Sequence, residues 1–333
     1  MCPFRTQLPA RAGAASGNGT AQGGASVEVD VRALTLLLTA AAIVPAATAI
    51  TVPAFPSAIA VGGGSVWVLA GGRLVRIDAS TGAVVARIDL AVRVGSERTC
   101  DLAVAGRIVW ALGSVNAGRS RVIRVDARTG QMLGSTTLPS AACVAATPRG
   151  AWVTLPEARA LVRLDRDGRL VARVATRAYC DAIVAGHGAL WAACPEETAG
   201  APPGRHTGTI LRVTERGTIS VSARDVLPGA LAAGPAGVFA GGVDHDSGTT
   251  RRVDGAGARF RTSGALAVDG SVLWVVDWRG PGLPGFVRER DARTGRTLRT
   301  VRAGTSPVGI ALGAGAVWVT DYAQPGSVTR IVP

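Results

Sequence analysis

The sequence predicts an all-β fold: a seven-bladed β-propeller of four-stranded antiparallel blades, with the last blade completed by the N-terminal strand. Three observations carry this. A Trp placed shortly after a Gly recurs at Trp67, Trp110, Trp152, Trp191, Trp274 and Trp318, and Phe239 fills the slot between Trp191 and Trp274. The spacings, 35 to 48 residues, fall in the range of a four-stranded blade. A third-strand motif with its turn recurs in step with the aromatic slot, and the two ends of the chain supply complementary parts of one unit.

The unit is clearest from Ala58 to Leu90. Val66-Trp67-Val68-Leu69 and Val84-Val85-Ala86-Arg87-Ile88 are short runs rich in β-branched residues and bounded by Gly and Ser, which is a strand signal. In Asp78-Ala79-Ser80-Thr81-Gly82 the Asp can accept from amides two residues on, and the Gly takes a positive φ. A sheet of four such strands, apolar on both faces, needs neighbours of its own kind on each side. The third strand and turn return as Ile123-Arg124-Val125-Asp126…Thr129-Gly130 and as Val162-Arg163-Leu164-Asp165…Gly168. Later copies are Arg252-Val253-Asp254…Gly257 and Asp291-Ala292-Arg293-Thr294-Gly295; in the fourth unit Thr214 replaces the Asp and Gly217 keeps the turn.

These units resemble the YVTN-repeat β-propellers and, more loosely, the virginiamycin B lyase-like propellers. The best match is Ala316-Val317-Trp318-Val319-Thr320-Asp321-Tyr322 followed by Gly326-Ser327-Val328-Thr329-Arg330-Ile331. The resemblance covers residues 50–333 and implies the propeller fold; the repeat motif marks no reaction.

Ahead of the repeats, residues 1–30 are rich in Gly, Ala and Ser, bury little and read as a disordered leader, or as an over-extended gene model with the true start near Val31. Residues 31–49 read as a secretory signal peptide: Arg32, the apolar run Ala33 to Val44, then Pro45-Ala46-Ala47-Thr48-Ala49 with cleavage after Ala49. This leaves a propeller over 50–333 that is secreted or extracytoplasmic, with no stable membrane insertion after cleavage, and a monomer. Thr51-Val52-Pro53 resembles the ends of other units, while the last unit breaks off after its third strand at Ile331-Val332-Pro333. Pairing the two closes the ring and removes open sheet edges.

The formal net charge of +13 invites a nucleic-acid reading. The chain contains no Lys, however, so its 36 basic residues are all Arg, a sign of coding bias, and many fall at the repeated third-strand position. No dense basic run with interleaved aromatics occurs, so a nucleic-acid partner is not expected.

Removing the leader deletes Cys2 and leaves Cys100, Cys143, Cys180 and Cys194. An even count in an exported chain favours disulfides over metal, and four thiols allow three connectivities. Cys180 and Cys194 flank one hairpin, and Cys100 and Cys143 hold similar positions in consecutive units, which favours 180–194 with 100–143.

In such blades the connections from second to third strand, and from blade to blade, emerge on one face. Insertions gather there, at Pro195 to Gly208, Gly241 to Gly248 and Trp278 to Gly285, and loop variation on a rigid repeat marks the binding face. The candidate ligand-binding residues are Asp277, Trp278, Arg279, Asp321, Tyr322 and His206, with Glu196 and Glu197 nearby. Asp101 and Asp181, beside their cysteines, are expected at the mouth of the central channel. Asp244-His245-Asp246 is the candidate metal set, able to offer a divalent cation two carboxylates and an imidazole; a solvated loop is the plainer reading. Trp278 is the one Trp outside the repeat slot and can stack a flat ligand or cover its own loop.

Two classes of function follow. The first is a binding or scaffolding module, without a cofactor, for a protein, glycan or small molecule. The alternative is an extracytoplasmic metal-dependent lyase or quinone-type enzyme on the same scaffold. The lyase chemistry that the resemblance implies needs a metal near a His and Glu pair, yet only three His occur and none lies two residues from a Glu in a repeat slot. No Gly-x-Ser-x-Gly, His-Glu-x-x-His or P-loop motif is present, so binding is the favoured reading.

Overall fold

The computed structural model describes residues 47–94, 99–196, 208–226, 229–241, 248–257, 259–261, 264–278, 280 and 283–333. Their strands form seven separate four-stranded antiparallel sheets, the blades of a propeller. The first described strand, β1 (Thr48–Val52), belongs to the last blade. Blade one runs from inside outward as β2 (Pro56–Gly62), β3 (Ser65–Ala70), β4 (Arg73–Asp78) and β5 (Val84–Asp89). Every residue of β3 is buried, whereas β5 alternates and leaves Val85 half exposed. The outer strand therefore faces water on one side, and the inner ones are sandwiched between blades.

The expected turn chemistry is present. The Asp78 carboxylate accepts from the amides of Ser80 and Thr81 at 3.0 and 2.9 Å and from both hydroxyls. These bonds, the Ser80 hydroxyl foremost, hold the carboxyl down at about 2. Asp126 does the same with Thr129 and Arg128 and also sits at about 2, the Thr129 amide being the largest cause.

Blade two is β6 (Leu102–Ala105), β7 (Ile108–Asn116), β8 (Arg119–Asp126) and β9 (Met132–Pro139); blade three is β10 (Val144–Thr147), β11 (Gly150–Leu155), β12 (Ala160–Leu164) and β13 (Leu170–Ala175). Blade four is β14 (Ala182–Gly186), β15 (Ala189–Pro195), β16 (Gly208–Val213) and β17 (Ile219–Val226); blade five is β18 (Ala230–Gly234), β19 (Gly237–Gly241), β20 (Thr249–Arg252) and β21 (Arg259–Arg261). Blade six is β22 (Leu266–Asp269), β23 (Val272–Asp277), β24 (Phe286–Asp291) and β25 (Thr297–Arg302). Blade seven takes β26 (Pro307–Gly313), β27 (Ala316–Asp321) and β28 (Gly326–Ile331) from the end of the chain, and β1 as its outer strand.

That last pairing closes the ring. β1 runs antiparallel to β28 from Thr48↔Arg330 to Val52↔Gly326. Val52 is buried in one cluster with Trp318, Val328, Ile59 and Val66, which belong to blades seven and one. Beside it, the Phe55 amide donates to the Ala323 carbonyl at 3.0 Å, and the Phe55 and Tyr322 rings lie 5.1 Å apart.

The aromatic slot falls on the second strand of each blade, where Trp67, Trp110, Trp152, Trp318 and Phe239 are fully buried between neighbouring sheets. Trp67, Trp191 and Trp318 each donate their indole N–H to a carbonyl five residues earlier: Gly62, Gly186 and Gly313, at 3.3, 3.0 and 3.1 Å. Those glycines end the inner strands, where the ring is tightest: a Cβ on Gly62 would meet Val104 of the next blade at 2.4 Å.

The repeated Arg is a strut. Arg76 and Arg330 lie over the rings of Trp67 and Trp318, at 5.6 and 5.4 Å. Arg124 and Arg163 donate to the carbonyls of Arg166 and Glu215, and Arg330 to that of Ser80, each in the turn of the following blade. Much of the regularity in the basic residues is thus blade-to-blade bonding.

Both favoured disulfides form. Cys100–Cys143 ties the segment leading into blade two to that leading into blade three, and Cys180–Cys194 staples blade four to its own lead-in segment. All four sulfurs border one apolar cluster around Trp152, Ile183 and Leu190. Two disulfides are compatible with an extracytoplasmic protein.

Candidate functional site

Inner strands begin on the same face as the connections between second and third strands, because strand direction alternates across each blade. Two cavities open on this face. The first is the central channel, about 510 Å³, walled by small and branched apolar residues of the inner strands such as Ala103, Ala145, Ala182, Ala232 and Ala267. Inner strands made of Ala keep the middle of the ring open, while their unpaired backbone edges face into it. Thr99, Cys100, Tyr179 and Asp181 stand at the mouth, on the segments that lead into β6 and β14.

The second cavity, about 400 Å³, lies beside that mouth between blades two and three. It exists because the second-to-third connection of blade two is a projecting hairpin: β7 has nine residues where β3 and β11 have six. The hairpin is pinned at both flanks. Arg93 and Ser114 exchange backbone bonds of 2.8 and 2.7 Å, and the Ser120 hydroxyl accepts from the Ala141 amide at 3.0 Å and lies 3.2 Å from its carbonyl. Asp101, only 3% exposed, lines this cavity, and its carbonyl accepts from the Leu112 amide at 2.7 Å. Arg93 and Arg119 supply positive charge, Glu157 a second carboxylate, and Asn116 and Ser114 polar groups. Tyr179 lines both cavities, with 40% of its surface exposed. The arrangement offers two guanidiniums, two carboxylates, hydroxyls and one aromatic face, the groups that hold a small polar or polyhydroxylated molecule.

Among the sequence-derived candidates, Asp101 and Asp181 take part in these cavities, Asp101 in the second and Asp181 in the first. Asp277, Trp278, Asp321 and Tyr322 line neither. Asp277 forms an ion pair with Arg288 at 2.5 Å, and Trp278 is half buried. Asp321 is buried and accepts from the amides of Thr305 and Ser306, so its carboxylate holds the lead-in to blade seven in place. Tyr322 packs against Phe55 with the two rings tilted by 43°. Glu196 accepts from the Thr209 hydroxyl at 3.1 Å. Arg279, His206, Glu197 and the set Asp244, His245 and Asp246 lie outside the described residues. Among the described residues, no group of three or more His, Cys, Asp or Glu could hold a metal ion.

Sequence reasoning missed Arg93, Arg119, Glu157 and Tyr179. Its one available signal was spacing: Trp110 and Arg124 stand 14 residues apart, against nine for Trp67 and Arg76, which marks the lengthened hairpin.

No protein-family model and no curated protein sequence matches the chain. Solved structures do. A streptogramin B lyase structure aligns over 86% of this chain and 98% of its own, at 16% identity and a TM-score of 0.63. U3-55K aligns over 86% of this chain and 98% of its own, at 8% identity and the same TM-score of 0.63. BamB from Moraxella catarrhalis aligns over 84% of this chain and 83% of its own, at 15% identity and a TM-score of 0.53. What the chain has in common with all three is the propeller fold.

Proposed function

We propose that this chain is an extracytoplasmic binding propeller whose ligand, a small polar molecule or the end of a glycan, seats on the face of the second-to-third connections. One observation carries the reading: the channel mouth and the cavity between blades two and three meet at a single half-exposed side chain, Tyr179. A ring of blades tied by struts and disulfides supplies a rigid frame, and the polar groups of the pocket are mounted on it by pinned segments. The two disulfides fit the extracytoplasmic setting. The signal-like segment at 31–49 supports the same placement.

The test is a thermal-shift screen of soluble oligosaccharides and polar metabolites against the wild-type chain, Tyr179→Ala and Arg119→Gln. A ligand of this face stabilises the wild type by mass action and loses most of that shift in both variants. Hits that stabilise all three proteins equally would place the ligand elsewhere and overturn the reading.

A further inference from the structure

On the outer wall between blades four and five, towards the face of the tight turns and away from the cavities above, lies a groove of about 660 Å³. Four Arg line it: Arg212 on β16, Arg224 on β17, and Arg251 and Arg252 on β20. They face one carboxylate, Asp254, a net of three positive charges.

This departs from blades one, two, three and seven, where the repeated Arg is held by a ring or a turn carbonyl; in blade six Glu289 takes that position. Arg212 and Arg224 are exposed, and their guanidiniums make no hydrogen bond or ion pair among the described residues. The repeat Asp departs as well. Asp254 has Gly257 where the first, second and sixth units have Thr, and it does not cap its turn as Asp78 does. Its carboxylate accepts from Arg252 Nε at 2.7 Å and from the Val238 amide at 3.1 Å, and it meets His187 Nε2 of blade four at 3.2 Å. Among the described residues, β21, the outer strand of this blade, has three residues and pairs with Thr249, Thr250 and Arg251.

We propose that this groove binds a linear anionic polysaccharide bearing sulfate or phosphate groups. Guanidinium forks match tetrahedral oxyanions, and their weaker hydration lets them exchange water for such groups. Arg212 pairs with Ser220, and Arg224 stands four residues further along β17 across a register shift, so the two residues lie about 10 Å apart along the sheet. That reach suits successive anionic groups on a chain better than one ion. The lining of Arg, Ser, Val, Ala, Asp and Gly contains no aromatic residue on which a base can stack, which disfavours single-stranded nucleic acid. The site is independent of the pocket around Tyr179.

The test is calorimetric titration of the wild-type chain with a size-defined heparin oligosaccharide near physiological salt. Arg212→Gln/Arg224→Gln keeps the packing stems and leaves the Arg224 carbonyl free to accept from Arg251. Arg87→Gln/Arg173→Gln removes two exposed outer-strand Arg elsewhere and serves as the charge-matched control. The groove variant is expected to bind about tenfold more weakly, and the control to change less than about twofold. Equal losses in both variants would show only the diffuse field of a basic protein and would overturn the proposal. So would no binding by the wild type, equal competition by inorganic sulfate at matched sulfate concentration, or tighter binding of single-stranded DNA.

Discussion

Replacing Val52 by Ala tests whether the start of the propeller truly finishes its last blade. Val52 is 4% exposed and packs with Trp318, Val328, Ile59 and Val66 at the join of blades seven and one. The substitution removes two methyl groups, about 1.6 kcal/mol of transfer free energy. The hole cannot collapse readily between two sheets, which adds about 1 kcal/mol for a void of some 50 Å³. A loss of about 2–3 kcal/mol is therefore expected. The comparison is Val85→Ala on β5, where a side chain 53% exposed should cost less than about 0.5 kcal/mol. Equilibrium urea unfolding followed by Trp fluorescence reads the difference as a shift in midpoint at constant slope. If Val52→Ala proves as harmless as Val85→Ala, β1 does not close the ring and the pairing of Thr48–Val52 with β28 is wrong.

Gly62→Ala should cost about 1–3 kcal/mol through overpacking, since its Cβ would stand 2.4 Å from Val104 of the next blade; an unchanged melting temperature would contradict the tight inner ring. Loop-closure entropy ranks the disulfides: removing Cys100–Cys143, separated by 43 residues, should cost about 4 kcal/mol, and Cys180–Cys194, separated by 14, about 3 kcal/mol, as paired Cys→Ser unfolding curves would show. Asp78 and Asp126 sit at about 2, below the ordinary 3.8, so the stability they lend is fully present above about pH 4 and is lost as pH falls towards 2; Asp78→Asn/Asp126→Asn should flatten that limb of a pH-stability profile. Calorimetric titration with zinc or manganese should show no tight site if the chain is a binder, whereas one tight site lost in His245→Ala would favour the metal-dependent enzyme.

The architecture was legible because a propeller repeats its chemistry. The Trp slot, the Asp turn and the incomplete final unit are local signals, and each maps onto a strand or turn wherever it recurs. The cysteine pairs could be favoured because Cys180 and Cys194 flank one hairpin, while Cys100 and Cys143 hold equivalent positions in consecutive units, which are neighbours in space. The candidate site was less legible because its walls come from connections whose course no repeat dictates. Arg93 and Tyr179 lie on segments between blades, and Asp101 and Leu112 meet only once the blade-two hairpin is pinned beside them. Asp321 was read as a candidate ligand-binding residue, and no local signal showed that its carboxylate would accept from the amides of Thr305 and Ser306. Asp254 shows the same limit from the other side: the repeat identified its position, but nothing local showed that its carboxylate would turn to Arg252 and His187.

The most direct measurement of the proposed function is hydrogen–deuterium exchange of the full chain with and without the strongest hit of the thermal-shift screen. Binding at the shared pocket predicts slowed exchange confined to the lead-in to β6, the tip of the β7–β8 hairpin and the segment around Tyr179. Slowed exchange on the turn face or the outer strands, with these segments unchanged, would contradict it.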